Sequence, residues 1–260
     1  MTADAGPEPL PAAARDAPAL GDGPGVGPHA RPWPSDPRLD PDLLANGDHR
    51  NVVDRYRYWR LEAIVADLDR RRHQFHVAIE NWQHDLNIGT VVRTANAFLA
   101  AEVHIVGRRR WNRRGAMVTD RYQHVRHHPT AEALVQWAAS MALPLVGIDN
   151  LPGAEPIERV ELPRCCVLVF GQEGPGLSQA VRAHLDRCCS ISQYGSTRSI
   201  NAGVASGIAM HAWIRQHAQP PPAVDNAGRD DLSRAGSPKG RGEPASGGDG
   251  DGAGPGRRRR

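Results

Sequence analysis

Between residues 75 and 215, short apolar runs alternate with segments whose apolar residues recur at helical spacing, and this alternation limits the fold more than any other feature. The apolar runs predict strands at 75–80, 102–106, 143–148, 166–170 and 189–192. The segments between them predict helices at 88–99, 131–141, 178–185 and 201–215. Strands that alternate with helices are typical of the α/β class, so we expect a mostly parallel sheet with helices on both faces.

Proline and glycine are concentrated at the two ends of the chain. Residues 1–37 hold 9 of the 22 prolines, and residues 219–260 hold 10 of the 27 glycines. Such segments bury too little apolar surface to offset the entropy lost on ordering. We therefore expect a mostly disordered N-terminal extension over 1–49, one domain over 50–218 that begins with a basic helix at 54–72, and a disordered basic tail over 219–260.

Composition disfavours several classes of protein. No run approaches the ~18 apolar residues of a membrane span, and the N-terminus lacks the apolar core of a signal peptide. The four cysteines form two adjacent pairs, Cys165-Cys166 and Cys188-Cys189, a spacing that suits neither a zinc cage nor a disulfide framework. We expect a cytoplasmic protein with reduced cysteines and no membrane partner.

The first segment with unusual chemistry is the glycine-rich loop 171–176, which lies between the most apolar strand and a helix that Ser178 can cap. Glycines let a backbone approach a ligand closely, and free amides at a helix start favour polar or anionic groups. The spacing G-x-x-G-x-G differs from the G-x-G-x-x-G of dinucleotide folds. A dinucleotide-dependent enzyme is therefore disfavoured, while a purely structural turn stays an alternative.

Two further loops carry polar residues among apolar ones. In 81–98, Arg93 stands between valines and alanines, so we expect it close to a core face, where a charge needs partners. An arginine paired with a carboxylate for structural reasons is the alternative. In 193–201, Ser199 and Asn201 stand where a helix starts, so helix capping is the alternative to a functional role for both.

The three loops together resemble the motifs of the SpoU (TrmH) family of RNA ribose methyltransferases, in the SPOUT superfamily. The family's first motif, N-x-G-x-x-x-R-T-A-x-A-F in outline, is matched by NIGTVVRTANAF at 87–98. The second is matched by VFGQEGPGLS at 169–178, and the third, S-L-N-V-S-V-A in outline, by SINAGVA at 199–205. The resemblance covers about residues 75–215. One departure is Ser192-Gln193-Tyr194, where many members have a proline and an apolar residue.

The resemblance implies transfer of a methyl group from S-adenosylmethionine to a ribose 2′-hydroxyl of tRNA or rRNA, on a fold with a C-terminal trefoil knot. The residues that it implies for the cofactor are Gly171, Ile191 and Ile200. The residues that it implies for the polar active site are Asn87, Arg93, Glu173, Ser199 and Asn201. It also implies a homodimer through the knot region, for which the candidates on the last helix are Val204, Ile208, Trp213 and Ile214.

The chemistry suits these residue types. The methyl group already sits on a sulfonium leaving group, so the enzyme mainly aligns the ribose oxygen and helps to remove its proton. A guanidinium stays charged in proteins, so binding of the neighbouring phosphate is at least as good an interpretation of Arg93 as a general base. Glu173 is then a candidate partner for Arg93. A catalytically silent RNA-binding protein on the same fold is the alternative function.

Seven arginines follow the strand 102–106, with Trp111 and Tyr122 among them. They are Arg108, Arg109, Arg110, Arg113, Arg114, Arg121 and Arg126. Because arginine binds phosphates and stacks on unpaired bases, we predict an RNA-binding surface, with a solvated charge run as the alternative. The same segment holds His124, His127 and His128 without a cysteine or carboxylate that completes a metal site, so no metal is predicted.

Overall fold

The computed structural model describes residues 25–83 and 85–220. Within them seven strands form one sheet: β1 (Phe75–Asn81), β2 (Val103–Gly107), β3 (Val125–His128), β4 (Leu145–Ile148), β5 (Glu155–Pro156), β6 (Cys166–Phe170) and β7 (Arg187–Ser190). Their order across the sheet is β3-β2-β1-β6-β4-β7-β5, and each adjacent pair is parallel. The expected α/β class with a parallel sheet is confirmed.

The same residues form six α-helices: α1 (Pro41–Asn46), α2 (Leu61–Asp69), α3 (Ile88–Ala97), α4 (Ala131–Ser140), α5 (Gln179–Arg182) and α6 (Ala202–His217). Helices cover both faces of the sheet. Val92 of α3 and Trp213 of α6 belong to one buried cluster, in which the rings of Phe75 and Trp213 lie 4.5 Å apart. Leu134 of α4 and Val181 of α5 belong to the cluster on the other face. None of these helices is long and apolar enough to cross a membrane.

Burial explains which strands the sequence pattern finds. All five residues of β6 are buried, because a central parallel strand is covered on both faces and its apolar run is continuous. The strand β3 was not predicted, since its sequence, VRHH, contains no apolar run. It lies at the edge of the sheet, and its first two residues are exposed.

Residues 25–49 are folded, so the disorder expected for the extension 1–49 is not found in the part of it that the structure describes. Helix α1 begins at Pro41 and is capped by Asp40, whose carboxylate accepts from the Asp42 N–H at 2.9 Å. The buried Asp48 accepts from Arg50 Nε at 2.8 Å and from the Tyr58 N–H at 2.9 Å. These polar contacts hold a segment that has little apolar surface. Residues 1–24 of the expected N-terminal extension, and all but the first two residues of the expected tail 219–260, lie outside the described residues.

The helix predicted at 54–72 is shorter than expected. Residues Asp54–Tyr56 form a single 3₁₀ turn, and α2 begins only at Leu61. Between them Tyr58 has a φ of 62°, a left-handed conformation that ends a helix and that side chains other than glycine rarely adopt. Its hydroxyl donates to the Gly27 carbonyl at 2.6 Å. Tertiary contacts therefore override the local helical pattern here.

Candidate functional site

The three loops with unusual chemistry meet at the carboxyl ends of the central strands, where parallel α/β sheets bind ligands. Asn87 precedes α3, Glu173 follows β6, and Asn201 is the N-cap of α6. The Asn201 amide Nδ2 donates to Asn87 Oδ1 at 2.9 Å and to Glu173 Oε1. Three predicted site residues that lie far apart in sequence are thus joined by direct hydrogen bonds.

Asn201 has both of the roles that its position allowed. Its Oδ1 accepts from the N–H groups of Gly203 at 2.9 Å and Val204 at 3.2 Å, which caps α6. Its Nδ2 remains free to bridge Asn87 and Glu173. Capping therefore fixes the direction in which the amide faces the other two loops. Ser199 is not the cap of this helix, and it lies exposed at the rim of a pocket.

A pocket opens beside this group of polar residues, between the loops that follow β4, β6 and β7. All three residues implied for the cofactor line it: Gly171, Ile191 and Ile200. Its wall is apolar at Ile148 and Phe170. The Gln193 side chain also lines it, and Gln193 Oε1 is buried without a hydrogen-bond partner among the described residues. The pocket combines an apolar wall with an unsatisfied acceptor, which suits a ligand with an apolar body and polar groups.

Glycines in the 171–176 loop are required by the loop itself. A side chain at Gly171 would overlap the backbone of Gly176, because Gln172 and Gly176 exchange backbone hydrogen bonds of 3.1 and 3.0 Å. Gly176 has a φ of +71°, and a side chain there would meet the Asp149 carboxylate. Asp149 Oδ2 in turn accepts from the Leu177 N–H at 2.9 Å. The structural interpretation of this turn therefore holds, and the turn also forms part of the pocket.

Arg93 is exposed, which corrects the expectation that it lies close to a core face. Val91, Val92 and Ala95 are the buried residues of α3, and Arg93 points away from them. Within the described part of the chain no hydrogen bond or ion pair engages its guanidinium, and Glu173 bonds to Asn201 instead. The expected pairing of Glu173 with Arg93 is not present. The guanidinium is free to bind a group outside the chain.

The predicted RNA-binding arginines are all exposed, but they divide into two locations. Those from Arg108 to Arg121 follow β2, in a loop whose 3₁₀ turn Arg113–Ala116 packs on α3, the helix that carries Arg93. Arg126 lies in β3, and its guanidinium binds both oxygens of Glu102 at 3.0 and 3.2 Å. The structure therefore separates Arg126 from the other six.

The three neighbouring histidines of this segment face different partners. His124 Nε2 lies 2.8 Å from Asp69 Oδ1, and His127 Nε2 lies 2.7 Å from the Gly107 carbonyl. His128 is buried against His104. The cysteines are free thiols. Burial raises the pKa of the Cys166 thiol to about 12 and that of Cys189 to about 11, so neither forms a reactive thiolate at neutral pH.

Comparison with known proteins agrees with this fold and these motifs. Residues 74–211 match the family model described as the SpoU rRNA Methylase family. A protein named "Uncharacterized tRNA/rRNA methyltransferase" from Mycolicibacterium vanbaalenii is 33% identical over 192 residues, which are 69% of this chain and 60% of that protein. Its namesake from Mycobacterium ulcerans is 32% identical over 199 residues, with coverage of 69% and 61%. The chain thus spans about 60% of the length of these relatives.

Two solved structures share the fold. The TrmH/SpoU tRNA modifying enzyme of A. aeolicus has a TM-score of 0.55 and 20% identity, with coverage of 67% of this chain and 93% of that one. The SpoU methyltransferase AviRb from Streptomyces viridochromogenes, solved with AdoMet, has a TM-score of 0.51 and 23% identity, with coverage of 58% and 60%. Because the family match spans more than half of the chain and includes all three motifs, this protein belongs to the SpoU methylase family.

Proposed function

We propose that this protein transfers a methyl group from S-adenosylmethionine to a ribose 2′-hydroxyl of tRNA or rRNA. The observation that carries the proposal is the hydrogen-bonded group of Asn87, Glu173 and Asn201 beside a pocket lined by Gly171 and Ile191. The curated relatives named above are tRNA/rRNA methyltransferases by name, and AviRb was solved with AdoMet. Both agree with the proposal.

The pocket residues fit S-adenosylmethionine. Ile148, Phe170 and Ile191 supply an apolar wall for the adenine ring, and Gly171 leaves the backbone open to close approach. Gln193 Oε1 is an acceptor without a partner in the described residues, which suits an amino or hydroxyl group of the cofactor. The cofactor supplies a methyl group on a sulfonium, so that the acceptor needs alignment and removal of one proton. We assign the binding of the cofactor to Gly171, Ile191, Ile200 and Gln193.

The polar residues of the site have different roles in binding and placing the RNA. Arg93, with an exposed guanidinium and no partner among the described residues, binds the phosphate beside the target ribose and so places the 2′-hydroxyl. Asn201 is held by its backbone cap and orients Asn87 and Glu173. Ser199, at the pocket rim, contacts the ribose or the methionyl group. Arg93 therefore binds and places the substrate in this proposal and is not the general base; the proton of the 2′-hydroxyl passes to solvent as the new O–CH3 bond forms and the bond from the methyl group to the sulfonium breaks.

The knot and the homodimer are also part of the proposal. The knot is proposed from the family resemblance alone. Asn150 Nδ2 donates to the Arg198 carbonyl at 3.0 Å, which holds the segment before α6 against the loop after β4. On α6, Val204 and Ile208 are 55% and 39% exposed, and they support a subunit interface there. Trp213 is 2% exposed and packs on Phe75, so it is not an interface residue of the kind expected from the sequence.

The test combines cofactor binding with mapping of the product. Arg93→Ala should abolish methyl transfer into RNA, while the Kd for S-adenosylmethionine, measured by calorimetry, changes by less than about tenfold, or ~1.4 kcal/mol. Arg215→Ala, which removes an exposed arginine from the last turn of α6, is the matched control and should leave turnover unchanged. Mass spectrometry of the digested RNA should find the new methyl group on ribose.

Three outcomes would contradict parts of the proposal. A methyl group on a base refutes the ribose acceptor. A wild-type protein that binds RNA but not S-adenosylmethionine is the catalytically silent RNA-binding protein. Near-normal turnover of Arg93→Ala removes the role given to Arg93.

A further inference from the structure

Three histidines from three adjacent strands form a polar row on the face of the sheet that α4 covers. The row contains His76 of β1, His104 of β2 and His128 of β3. Two contacts connect them across the sheet: His76 Nδ1 lies 3.1 Å from His104 Nε2, and His104 Nδ1 lies 2.9 Å from His128 Nε2. The Trp137 ring of α4 lies over them, 4.1 Å from the ring of His104. His104 is completely buried. A row of imidazoles in this apolar layer is costly unless each ring has a partner.

A carboxylate completes a set of metal ligands at the open end of this row. Glu102 Oε2 lies 3.8 Å from His104 Nε2, and one ligand atom each from His76, Glu102 and His104 lies within 4.8 Å of the other two. Around a tetrahedral zinc ion with bonds of about 2.0–2.1 Å, neighbouring ligand atoms are roughly 3.3 Å apart. The 3.1 and 3.8 Å separations are close to that value.

The surroundings orient these ligands as metal sites require. His104 Nδ1 lies 2.9 Å from His128 Nε2, and in the tautomer of His104 that donates from Nδ1 the lone pair of Nε2 faces His76 and Glu102. Arg126 binds both oxygens of the Glu102 carboxylate, including the Oε2 that faces His104, so a metal ion would share this carboxylate with the guanidinium.

We propose that His76, His104 and Glu102 form a site for one divalent transition-metal ion of the zinc class, with a fourth position open to water. The ion replaces the hydrogen bond between His76 and His104, and His76 moves its proton from Nδ1 to Nε2, so that no proton is released. His76 and His104 are the second residues of β1 and β2, near the amino ends of the strands, whereas the pocket lies at the carboxyl ends. The metal therefore stabilises this edge of the sheet and takes no part in methyl transfer.

Cobalt is the probe for the test, because tetrahedral Co²⁺ absorbs visible light where Zn²⁺ does not. The full chain without an affinity tag is treated with chelator and titrated with Co²⁺. We expect binding of one ion with tetrahedral absorption bands, displacement by Zn²⁺, and a rise of the Tm with Zn²⁺. Glu102→Gln and His76→Gln should each weaken Co²⁺ binding by more than about a hundredfold, since even the loss of outer contacts costs 10–100-fold.

His124→Gln is the matched control, because His124 is exposed and bonds to Asp69 outside the row. It should bind Co²⁺ as the wild type does. The Tm of each metal-free variant shows whether it is folded, and Glu102→Gln keeps the shape of the side chain if His76→Gln does not fold. Absence of a one-to-one Co²⁺ spectrum in the wild type, or its persistence in a folded Glu102→Gln variant, overturns the proposal.

Discussion

Two arginine-rich regions of this protein look alike in sequence and differ in structure. In the N-terminal arginine region, 50–72, six of the seven arginines lie within ion-pair distance of an aspartate: Arg50 of Asp48, Arg57 of Asp54, Arg55, Arg70 and Arg71 of Asp67, and Arg72 of Asp69. In the arginine loop, 108–121, only Arg113 has such a partner among the described residues, Asp120 at 3.2 Å. The first region therefore uses its charges internally, whereas the second leaves them available.

The difference comes from where the acids stand in the sequence. Asp67 and Asp69 precede Arg70, Arg71 and Arg72 by three or four residues, the spacing at which side chains meet on a helix. The loop has no acid at that spacing from Arg109, Arg110 or Arg114. The number of arginines does not distinguish the two regions, but the positions of the acidic residues relative to those arginines do. The N-terminal region is therefore a poor second candidate for the RNA site.

The largest effect that we expect concerns Arg50. The Asp48 side chain is 0% exposed, and Arg50 Nη2 lies 2.7 Å from it. Removing one partner of a buried pair leaves an uncompensated charge, so Arg50→Ala should lower the free energy of unfolding by about 3 kcal/mol in urea denaturation. Arg55→Ala, whose side chain is 55% exposed, is the control and should cost less than about 1 kcal/mol. Equal losses for the two variants would show that Asp48 does not depend on Arg50.

The next effect concerns RNA binding by the arginine loop. Replacing Arg109, Arg110 and Arg114 with Ala should weaken RNA binding and reduce its salt slope by about 2, at roughly 0.7 per lost contact on single strands. Stability and cofactor affinity should be unchanged, because the three guanidiniums bind no described residue and the pocket lies on other segments. Fluorescence anisotropy over a salt series with tRNA and rRNA transcripts measures the slope. An unaltered slope would leave the loop as a solvated charge run.

Acid should remove the contribution of the buried pair between Asp48 and Arg50. Burial works to raise the pKa of Asp48, but hydrogen bonds from Arg50 and the Tyr58 N–H outweigh it and hold that pKa below its usual value. A carboxyl group with a lowered folded pKa stabilises the protein above its unfolded pKa of about 3.9, and this stability is lost as the pH falls through the folded value. As the pH falls below about 4, Asp48→Asn should therefore lose less stability than the wild type. A parallel loss in both would contradict this.

The sequence predicts the central sheet better than the parts around it. The strand β6 is a continuous apolar run because both of its faces are buried. The strands β1 and β2 are buried and mostly apolar, although β1 includes His76 and β2 includes His104, so their apolar pattern still finds them. The fold of residues 25–60 combines a small apolar cluster around Tyr56 with single polar contacts, such as the bond from the Tyr58 N–H to Asp48, ten residues earlier. Amino-acid composition does not reveal such contacts, which is why it indicates disorder in this segment.

The candidate site is likewise only partly predictable from the sequence. Spacing and resemblance identify Asn87, Glu173 and Asn201, and the structure joins them. The exposure of Arg93 follows from the phase of α3, in which Val91, Val92 and Ala95 form the buried side, and a helical wheel would have found it. The row of histidines lies beyond sequence reasoning, because His76, His104 and His128 become neighbours only through the order of the strands.

The smallest effect is expected where the arginines are paired at the surface. Arg55, Arg70 and Arg71 share Asp67, and Tyr56 donates a hydrogen bond to the same carboxylate at 2.6 Å. The triple variant with Gln at these three positions removes as many charges as the triple variant of the arginine loop. Because exposed pairs contribute little and the hydrogen bond from Tyr56 to Asp67 remains, the free energy of unfolding should change by about 1 kcal/mol or less. The salt slope of RNA binding should change by less than about 0.5, since these charges are already neutralised within the protein. A slope reduced by about 2, as in the loop variant, would place RNA contacts on both regions and remove the distinction between them.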